Sequence, residues 1–248
     1  GGAMRWWREW VDLVVPPECA GCGAARSPLC AVCVARLRDG GPRRVALDPC
    51  PRGLPPVYAA AEYADVARSV LLAHKERGAL RLAPWLGALL ADGVLALSAG
   101  ARPAGARPAG AEPAGAGAAA GPGPVLVPVP SARRAVAARG HDPTLRLARA
   151  SAVELRRRGV SATAVPVLAQ ARRISDQGGL SGHERLRNVA GALRVRPAGE
   201  RLLRGRSVVL VDDLVTSGAS LAEAARALRE CDAEVTGAAV VAAAAGTV

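Results

Sequence analysis

Two adjacent carboxylates, Asp212 and Asp213, are the residues whose type and spacing point most directly to chemistry. They follow the run 208–211, which is apolar, mostly β-branched and without polar alternation. Such a run predicts a strand buried on both faces in a parallel sheet, with the carboxylates at its carboxyl end. The hydroxyls and the glycine of residues 216–220 come next. This stretch therefore predicts a strand followed by a short polar loop.

A helix is predicted directly after this loop. Ser220 and Glu223 have the spacing of a capping box, which would open a helix from Leu221 to about Glu230. The apolar residues of this helix share one face, which we expect to lie against the sheet. They are Leu221, Ala224, Ala225 and Leu228.

This arrangement could bind a phosphorylated sugar. Open α/β sheets bind ligands at the carboxyl ends of their strands, and backbone N–H groups at a helix N-terminus favour a phosphate. Beside that phosphate, Asp212 and Asp213 could accept hydrogen bonds from ribose hydroxyls. A ribose 5-phosphate satisfies both halves of the predicted site.

Two other interpretations start from the same residues. In the first, Asp212 and Asp213 are a solvated strand end, and residues 216–220 form an ordinary turn. In the second, the acid pair binds Mg²⁺ in a P-loop nucleotide hydrolase, which needs a glycine-rich loop ending in Lys-Ser or Lys-Thr. The only lysine, Lys75, is not followed by a hydroxyl residue. The P-loop interpretation is therefore excluded, whereas the solvated turn remains open.

Four cysteines near the start of the chain have the spacing of a metal site. Two Cys-x2-Cys pairs are separated by residues 23–29, and their members are Cys19 with Cys22 and Cys30 with Cys33. Two such pairs on short loops place four thiolates around one tetrahedral Zn²⁺. Two disulfides are disfavoured in a reducing compartment, and a redox dithiol needs only one pair. We therefore predict one structural zinc ion.

The two remaining cysteines are not assigned to a site. Cys50 stands alone, since Gly53 occupies the position that a partner cysteine would take. We interpret Cys50 as a peripheral thiol. Cys231, at the end of the last predicted helix, is expected to be a partly buried structural residue.

Composition and charge bound the possible function classes. The chain has 248 residues, 50% of them hydrophobic, enough for one medium domain and a small module. Its net charge of +12 attracts polyanions, including nucleic acid and pyrophosphate. Of 33 basic residues, 32 are arginine (33 minus Lys75), which indicates a compositional bias. No segment approaches the roughly 18 apolar residues of a membrane helix, and the start lacks a signal-peptide core, so we expect a cytoplasmic protein without membrane insertion.

Periodic apolar positions predict alternating helices and strands. Helices are expected at 5–15, 63–77, 80–97 and 144–158, and strands near 125–130, 165–168, 207–211 and 235–242. This alternation predicts an α/β fold with a mainly parallel sheet. Residues 99–123 are a low-complexity insert of Ala, Arg, Pro and Gly, which we expect to form a flexible surface loop.

Two further polar segments lie where ligands of the same site are expected. Ser131, Arg133 and Arg134 follow the strand near 125–130, so the arginines could bind pyrophosphate; a solvated loop is the alternative. The glycine-rich segment 171–193 is expected to form a mobile lid. Lys75 is expected to be a solvated residue at the end of its helix.

The segment 212–220 closely resembles the phosphoribosyl pyrophosphate (PRPP) motif of type I phosphoribosyltransferases. That motif has two acidic residues after an apolar strand, then two residues, then Thr-Thr-Gly-x-Thr. Here the last part is Thr216-Ser217-Gly218-Ala219-Ser220, which keeps every hydroxyl. The resemblance implies that Asp212 and Asp213 hold the ribose 2′- and 3′-hydroxyls, while residues 216–220 cradle the 5-phosphate.

Motifs elsewhere in the chain are similar to those of the ComF family. They are Val127-Pro-Val-Pro130, Arg139-Gly140, the Arg173 to Gln177 spacing, Glu184-Arg185, Asn188-Val189 and the two cysteine pairs. His141-Asp142-Pro143 departs from the family pattern, since many members have an aromatic residue, Asn and Gln there. The resemblance spans the chain apart from 99–123. It implies an N-terminal helix and zinc module at 1–53 and a phosphoribosyltransferase domain at 54–248.

Two function classes remain open. In the first, the protein binds PRPP with Mg²⁺ and transfers ribose 5-phosphate to an unknown acceptor, while the lid closes over the acid pair. The lid candidates are Arg172, Arg173, Gln177, Arg185 and Asn188. In the second, the protein is a non-catalytic competence factor that binds single-stranded DNA and a helicase partner, as the ComF resemblance implies. The acid pair and the hydroxyl loop favour the first class.

Overall fold

The computed structural model of the chain describes residues 18–100, 123–131, 136–137, 139–172, 188–245 and 247. The helix predicted at 5–15 and nearly all of the predicted insert lie outside these ranges. The helices within them are α1 (Ala31–Arg38), α2 (Asp65–Lys75), α3 (Ala83–Gly100, after a 3-10 turn at Leu80–Leu82), α4 (Pro143–Arg157), α5 (Pro197–Leu203) and α6 (Ala219–Arg229). The strands are β1 (Arg43–Arg44), β2 (Val57–Glu62), β3 (Val125–Pro128), β4 (Thr163–Ala164), β5 (Leu168–Gln170), β6 (Leu193–Val195), β7 (Ser207–Val215) and β8 (Glu234–Ala243).

Six of these strands form the main sheet, in the order β1-β2-β8-β7-β3-β4. The neighbouring pairs from β2 to β4 are parallel, whereas β1 is antiparallel to β2. β5 and β6 form a separate antiparallel pair. The predicted α/β fold with a mainly parallel sheet is therefore confirmed.

β7 lies between two cores, one on each face of the sheet. Val209 and Val211 belong to the core that contains α3 and α4, whereas Val208 and Leu210 belong to the core that contains α6. Because both faces of β7 are covered, its sequence is apolar without alternation over 208–211. The apolar face predicted for α6 is buried in the second of these cores.

β3 and β7 are neighbouring strands whose connections leave in opposite directions. The chain passes from β3 through α4 to β4 on one side, and from β7 through α6 to β8 on the other. Such a topological switch point leaves a crevice outside the carboxyl ends of the two strands, where α/β folds bind ligands. The fold therefore supplies a crevice at the end of β7.

The strand predicted at 165–168 is wrong in its position. β4 ends at Ala164 and β5 begins at Leu168, so the segment between them belongs to neither strand. Pro166 has no N–H group to donate to a ladder, and the chain leaves the main sheet there. β5 then pairs with β6 instead of continuing the main sheet.

The helices predicted at 63–77 and 80–97 correspond to α2 and α3, separated by Gly78 with a φ of +67°. The expectation that no segment approaches the apolar length of a membrane helix is wrong for α3. The helical stretch Leu80–Gly100 contains an apolar window of mean hydropathy 1.6, long enough to cross a membrane by length and composition. However, 56% of that window is buried, since α3 packs against α4, β2 and β8. Its apolar character is that of a core helix.

The cysteine-rich segment and α1 share a core with the helices of the sheet. Cys33 and Leu37 are buried in the same cluster as Val66 of α2 and Leu89 of α3. After α1, the chain adds β1 to the edge of the main sheet. The domain boundary near residue 53 stays a prediction, and the main sheet already receives its first strand before it.

Candidate functional site

Asp212 and Asp213 lie inside β7 rather than after it, which corrects the predicted end of this strand. β7 continues to Val215 and remains paired with β8, whereas its pairing with β3 ends at Val211. Beyond Val211, β7 therefore has a strand neighbour on one side and the crevice on the other. The acid pair lies where the crevice between β3 and β7 opens.

Asp213 is buried and forms an ion pair with Lys75. The Asp213 side chain is 7% exposed, and its Oδ2 lies 2.7 Å from Lys75 Nζ. The sequence predicts a solvated Lys75, but the end of α2 brings this residue over the carboxyl end of β7. Burial alone would lower the pKa of Lys75, but the carboxylates of Asp213 and Asp212 outweigh burial and raise it.

Asp212 is held by a contact within the pair. Its Oδ1 accepts a hydrogen bond of 2.8 Å from the backbone N–H of Asp213. Burial, and then the charge of Asp213, raises the pKa of Asp212 well above its usual range, against the opposing effect of Lys75. The pair therefore retains a proton more readily than two separate solvated carboxylates would.

The chain turns from β7 into α6 through Gly218. This residue has a φ of +70°, and α6 begins at Ala219 without a side-chain cap. The backbone angle favours glycine, and a Cβ at position 218 would lie 2.6 Å from Leu47 Cδ1, so the Leu47 side chain would have to move for any larger residue. Thr216 is exposed and Ser217 is partly exposed. The first N–H groups of an uncapped helix are free to bind an anion.

The predicted capping box of α6 is wrong. The helix begins before Ser220, which therefore lies inside the first turn. Glu223 instead accepts a hydrogen bond of 3.0 Å from the Leu193 N–H and binds Arg226 at 2.8 Å. Burial opposes ionisation of Glu223, but the hydrogen bonds from Arg226 and Leu193 outweigh burial and lower its pKa. Glu223 thus fixes α6 to β6.

The predicted lid lies between β5 and β6. At its base, Arg172 donates hydrogen bonds to the carbonyl groups of Asn188, at 3.0 Å, and Ala190, at 2.7 Å. The two ends of the segment are therefore held together beside the antiparallel β5–β6 pair. The other lid candidates lie outside the described residues: Arg173, Gln177 and Arg185.

The loop after β3 is described in part. Ser131 is half-buried, whereas Arg133 and Arg134 lie outside the described residues. Further along, Arg139 Nη1 lies 3.1 Å from Glu76 Oε1 at the end of α2. This contact brings the loop to the same helix end that carries the lysine of the acid site.

The residues His141-Asp142-Pro143 form the start of α4. Asp142 is the N-cap, and its Oδ1 accepts a hydrogen bond of 3.1 Å from the Leu145 N–H, while Pro143 is the first helical residue. Both choices are typical of helix starts. The His141 ring Nδ1 lies 3.0 Å from the Arg139 carbonyl oxygen. The three residues that depart from the ComF pattern therefore form the start of a helix.

The four predicted zinc ligands lie together. Their Sγ atoms are all within 4.8 Å of one another, and those of Cys22 and Cys30 are 3.6 Å apart. Sulfurs around a tetrahedral zinc ion lie roughly 3.8 Å apart, for Zn–S distances of about 2.3 Å. The Cys30 backbone N–H donates to Cys19 Sγ at 3.3 Å, and a Cβ on Gly21 would lie 2.7 Å from Cys33 Sγ. The geometry fits one zinc ion.

The thiols of this cluster differ in their readiness to ionise. Burial of Cys19 opposes the thiolate, but backbone hydrogen bonds from Cys30, Cys22 and Gly21 lower its pKa to about 6. Burial, together with the neighbouring thiols, raises the pKa of Cys33. A bound cation would favour the thiolate at all four positions.

Comparison with known proteins supports one of the two predicted function classes in general terms. Residues 146–247 match the family described as phosphoribosyl transferase domain, a range that contains the acid pair and the loop before α6. This match supports the phosphoribosyltransferase superfamily for that part of the chain.

Two curated relatives match shorter stretches of the chain. The adenine phosphoribosyltransferase of Mycobacterium marinum (strain ATCC BAA-535 / M) is 51% identical over 45 residues, covering 18% of this chain and 24% of the relative. That of Mycolicibacterium smegmatis (strain ATCC 700084 / mc(2)155) is 54% identical over 39 residues, covering 16% of this chain and 22% of the relative. The chain therefore spans about a quarter of the length of the curated relatives that it matches.

Proposed function

We propose that the protein is a phosphoribosyltransferase that binds PRPP with Mg²⁺ and transfers the ribose 5-phosphate group to an acceptor. The observation that carries this proposal is an acid pair at the switch-point crevice, directly before an uncapped helix N-terminus. Asp212 and Asp213 would accept hydrogen bonds from the ribose hydroxyls, and residues 216–220 would bind the 5-phosphate. The family match over residues 146–247 supports this assignment.

The proposed transfer depends on control of charge more than on a strong nucleophile. As pyrophosphate leaves, the ribose C1 carbon becomes cationic, and the nearby carboxylates of Asp212 and Asp213 stabilise that charge. Mg²⁺ bound with PRPP supplies positive charge to the leaving pyrophosphate. Arg133 and Arg134 are proposed to bind the same leaving group, and Ser131 to support their loop.

Exclusion of water is assigned to the segment between β5 and β6. The hydrogen bond from Arg172 to the Asn188 carbonyl group joins its two ends, and the segment is proposed to close over the crevice. Arg173, Gln177 and Arg185 are proposed to contact the substrate from this lid. Closure would prevent water from capturing the cationic sugar before the acceptor does.

We also propose a structural role for zinc. Cys19, Cys22, Cys30 and Cys33 would bind one Zn²⁺, which would fix the fold of a module at residues 1–53, with the transferase domain at 54–248. The burial of Cys33 beside α2 and α3 supports this role, because the ion would then also hold the module against the sheet domain.

Thermal unfolding with and without PRPP and Mg²⁺ tests the main proposal. A ligand at a hundred times its Kd stabilises the folded state by about 2.7 kcal/mol, so the Tm should rise. The double change Asp212→Ala with Asp213→Ala should abolish that rise. Glu234→Ala is a matched control, because Glu234 is an exposed carboxylate at the opposite end of the strands. An unchanged Tm of the unmutated protein with PRPP would contradict the proposal.

Pyrophosphate release and DNA binding on the same preparation distinguish a transferase from a binding protein. Pyrophosphate release with a candidate acceptor base, lost in the double variant, would establish the enzyme. The net charge of +12 favours polyanion binding as the second candidate function. Tight, salt-dependent binding of single-stranded DNA that survives the double change, without pyrophosphate release, would favour the non-catalytic competence factor and its helicase partner.

A further inference from the structure

Lys75 is distinguished by its residue type as well as by its position. It is the only lysine of the chain, and the 32 other basic residues are arginine (33 minus Lys75). In a chain with this compositional bias, arginine is expected wherever lysine and arginine would serve equally well. The lysine ammonium is a compact charge with three donors on a flexible stem, whereas the arginine guanidinium is a larger planar fork. A position that retains lysine is therefore expected to need the compact charge.

The end of α2 connects the two sides of the switch-point crevice. Lys75 Nζ lies 2.7 Å from Asp213 Oδ2 on β7. The next residue, Glu76, binds Arg139 at 3.1 Å, in the connection between β3 and α4, where residues 136–137 and 139 are helical. Two adjacent residues, the last of α2 and its C-cap, thus contact both of the segments that border the crevice. Lys75 is fixed in the site by this arrangement.

A buried carboxylate needs a partner to stay charged. Asp213 is 5% exposed, so its charge receives little stabilisation from water. Lys75 supplies the compensating charge at hydrogen-bond distance. Asp212 cannot supply it, because its own Oδ1 accepts the hydrogen bond from the Asp213 N–H and its charge is of the same sign.

We propose that Lys75 is a positioning residue of the sugar site, which holds Asp213 charged and oriented so that its carboxylate accepts a hydrogen bond from a ribose hydroxyl of PRPP. The inference rests on the proposed function, because ribose is the partner of the acid pair only if PRPP binds in this crevice. Lys75 acts through Asp213.

Several charged or titratable groups face this pair and would contribute to its pH dependence. Asp212 on β7 and Arg139 in the loop before α4 both interact electrostatically with Lys75. His74, on the preceding position of α2, is buried, and its pKa is lowered by burial and by the nearby charges of His141 and Arg146. These groups remain unchanged in the variants below.

The test measures PRPP binding calorimetrically, in the presence of Mg²⁺, over a range from acidic to neutral pH. Lys75→Met should weaken binding roughly tenfold at neutral pH, since a hydrogen bond to a charged group is lost. Lys75 lowers the pKa of Asp212 by its charge, so without the ammonium Asp212 should ionise at higher pH. The acidic limb of the binding profile, where affinity is lost as pH falls, should therefore also move to higher pH. A merely structural role would lower the Tm and leave that limb in place.

Two further variants sharpen the result. Lys75→Arg keeps the charge, so the acidic limb should stay where it is, while the larger fork should still weaken binding several-fold. Arg77→Met is the matched control on the same helix end, because Arg77 is exposed and its guanidinium donates a hydrogen bond to the Ser69 carbonyl oxygen. It should bind PRPP as the unmutated protein does.

The possible outcomes separate the two proposals. If the unmutated protein does not bind PRPP, the proposed function fails, and the inference about Lys75 fails with it. If it binds PRPP and Lys75→Met binds equally well with an unmoved acidic limb, only the inference about Lys75 is overturned. If Lys75→Met does not fold, Lys75→Arg decides, since unmutated affinity in that variant would contradict the need for lysine.

Discussion

The cysteine cluster and the acid site differ in how their parts are distributed along the chain. All four thiols come from residues 19–33, which form two short loops and the start of α1. The acid site instead combines the end of α2, the loop before α4, strand β7 and the loop before α6. The spacing of neighbouring residues can specify the first site. Only the fold can assemble the second.

This difference has a physical consequence for stability. A metal site in one short segment depends on its ligands and responds to the loss of any one of them. The acid site depends on elements that are held by separate contacts, such as the Lys75–Asp213 pair and the Glu223–Leu193 hydrogen bond. Each of those contacts can be weakened while the others persist. Variants should therefore give an all-or-none response in the first region and graded responses in the second.

The largest effect is expected for Cys33→Ser. Cys33 is 1% exposed, so the change removes a proposed zinc ligand from the buried side of the cluster. Zinc content should fall from about one equivalent to near zero. The stability of the module should fall by more than about 3 kcal/mol, since structural zinc contributes about 10 kcal/mol or more in zinc-dependent domains. Metal analysis and thermal unfolding would measure both.

Cys50→Ser provides the control for this prediction. Cys50 is exposed and lies outside the cluster. Zinc content and Tm should be unchanged. A preparation without added metal that contains no zinc, and in which the four cluster thiols are free, would contradict the comparison, because the cluster would then not be a metal site.

An intermediate effect is expected for Gly218→Ala. A non-glycine residue in the left-handed region costs about 1–2 kcal/mol, and the added Cβ would also meet Leu47 Cδ1. A total loss of about 3 kcal/mol follows if the overpacking costs another 1–3 kcal/mol. Chemical denaturation would measure it.

Gly205→Ala is the matched control for the backbone angle. Gly205 has a φ of +67°, but a Cβ there would meet no atom within 4 Å. Its cost should be only the conformational part, about 1–2 kcal/mol. Equal losses of unfolding free energy at positions 218 and 205 would show that the Leu47 side chain moves aside without a measurable cost. The loop before α6 would then not be held by packing.

The smallest effect is expected for Glu223→Gln. Glu223 is buried and its carboxylate joins α6 to β6, so the neutral amide should lose about 2 kcal/mol of stability at neutral pH. Because the folded-state pKa of Glu223 is lowered, its stabilising contribution is present above the unfolded pKa and is lost as pH falls through the folded pKa. The difference in unfolding free energy between Glu223→Gln and the unmutated protein should therefore vanish at acidic pH.

Glu230→Gln controls for the general loss of a charge beside Arg226. Glu230 pairs with the same arginine, but its side chain is 65% exposed. The expected loss is only a few tenths of a kcal/mol, as for other exposed ion pairs. If Glu223→Gln remained less stable than the unmutated protein by the same amount at acidic pH, the stabilisation could not come from the charge of Glu223. Denaturation curves at neutral and acidic pH would show this.

Much of the fold could be predicted because local patterns agree with it. The apolar run before Asp212 predicted a strand covered on both faces, and periodic leucines predicted α3. The strand at 165–168 was misplaced, because an apolar run alone does not show that Pro166 interrupts a ladder. The length of apolar sequence in α3 was also underestimated, since small residues such as Ala and Gly contribute to it.

The candidate site could be predicted only where it is local. The motif at 212–220 was visible in the sequence, but its contact with Lys75 joins residues far apart in the chain. The same holds for Glu223, which was assigned to a local cap and instead binds Leu193 of β6. One signal for Lys75 was present, since a lone lysine in an arginine-rich chain is unusual. Chain patterns cannot give the partner of such a residue.

The outer strands of the main sheet, β1 and β4, contain two residues each. A strand from another molecule that added to either edge would therefore find a very short ladder to continue. On β1 both residues are exposed arginines, Arg43 and Arg44, so two copies meeting at this edge would bring like charges together. The apolar inner strands, rich in valine and alanine, are thereby kept from templating ordered aggregates.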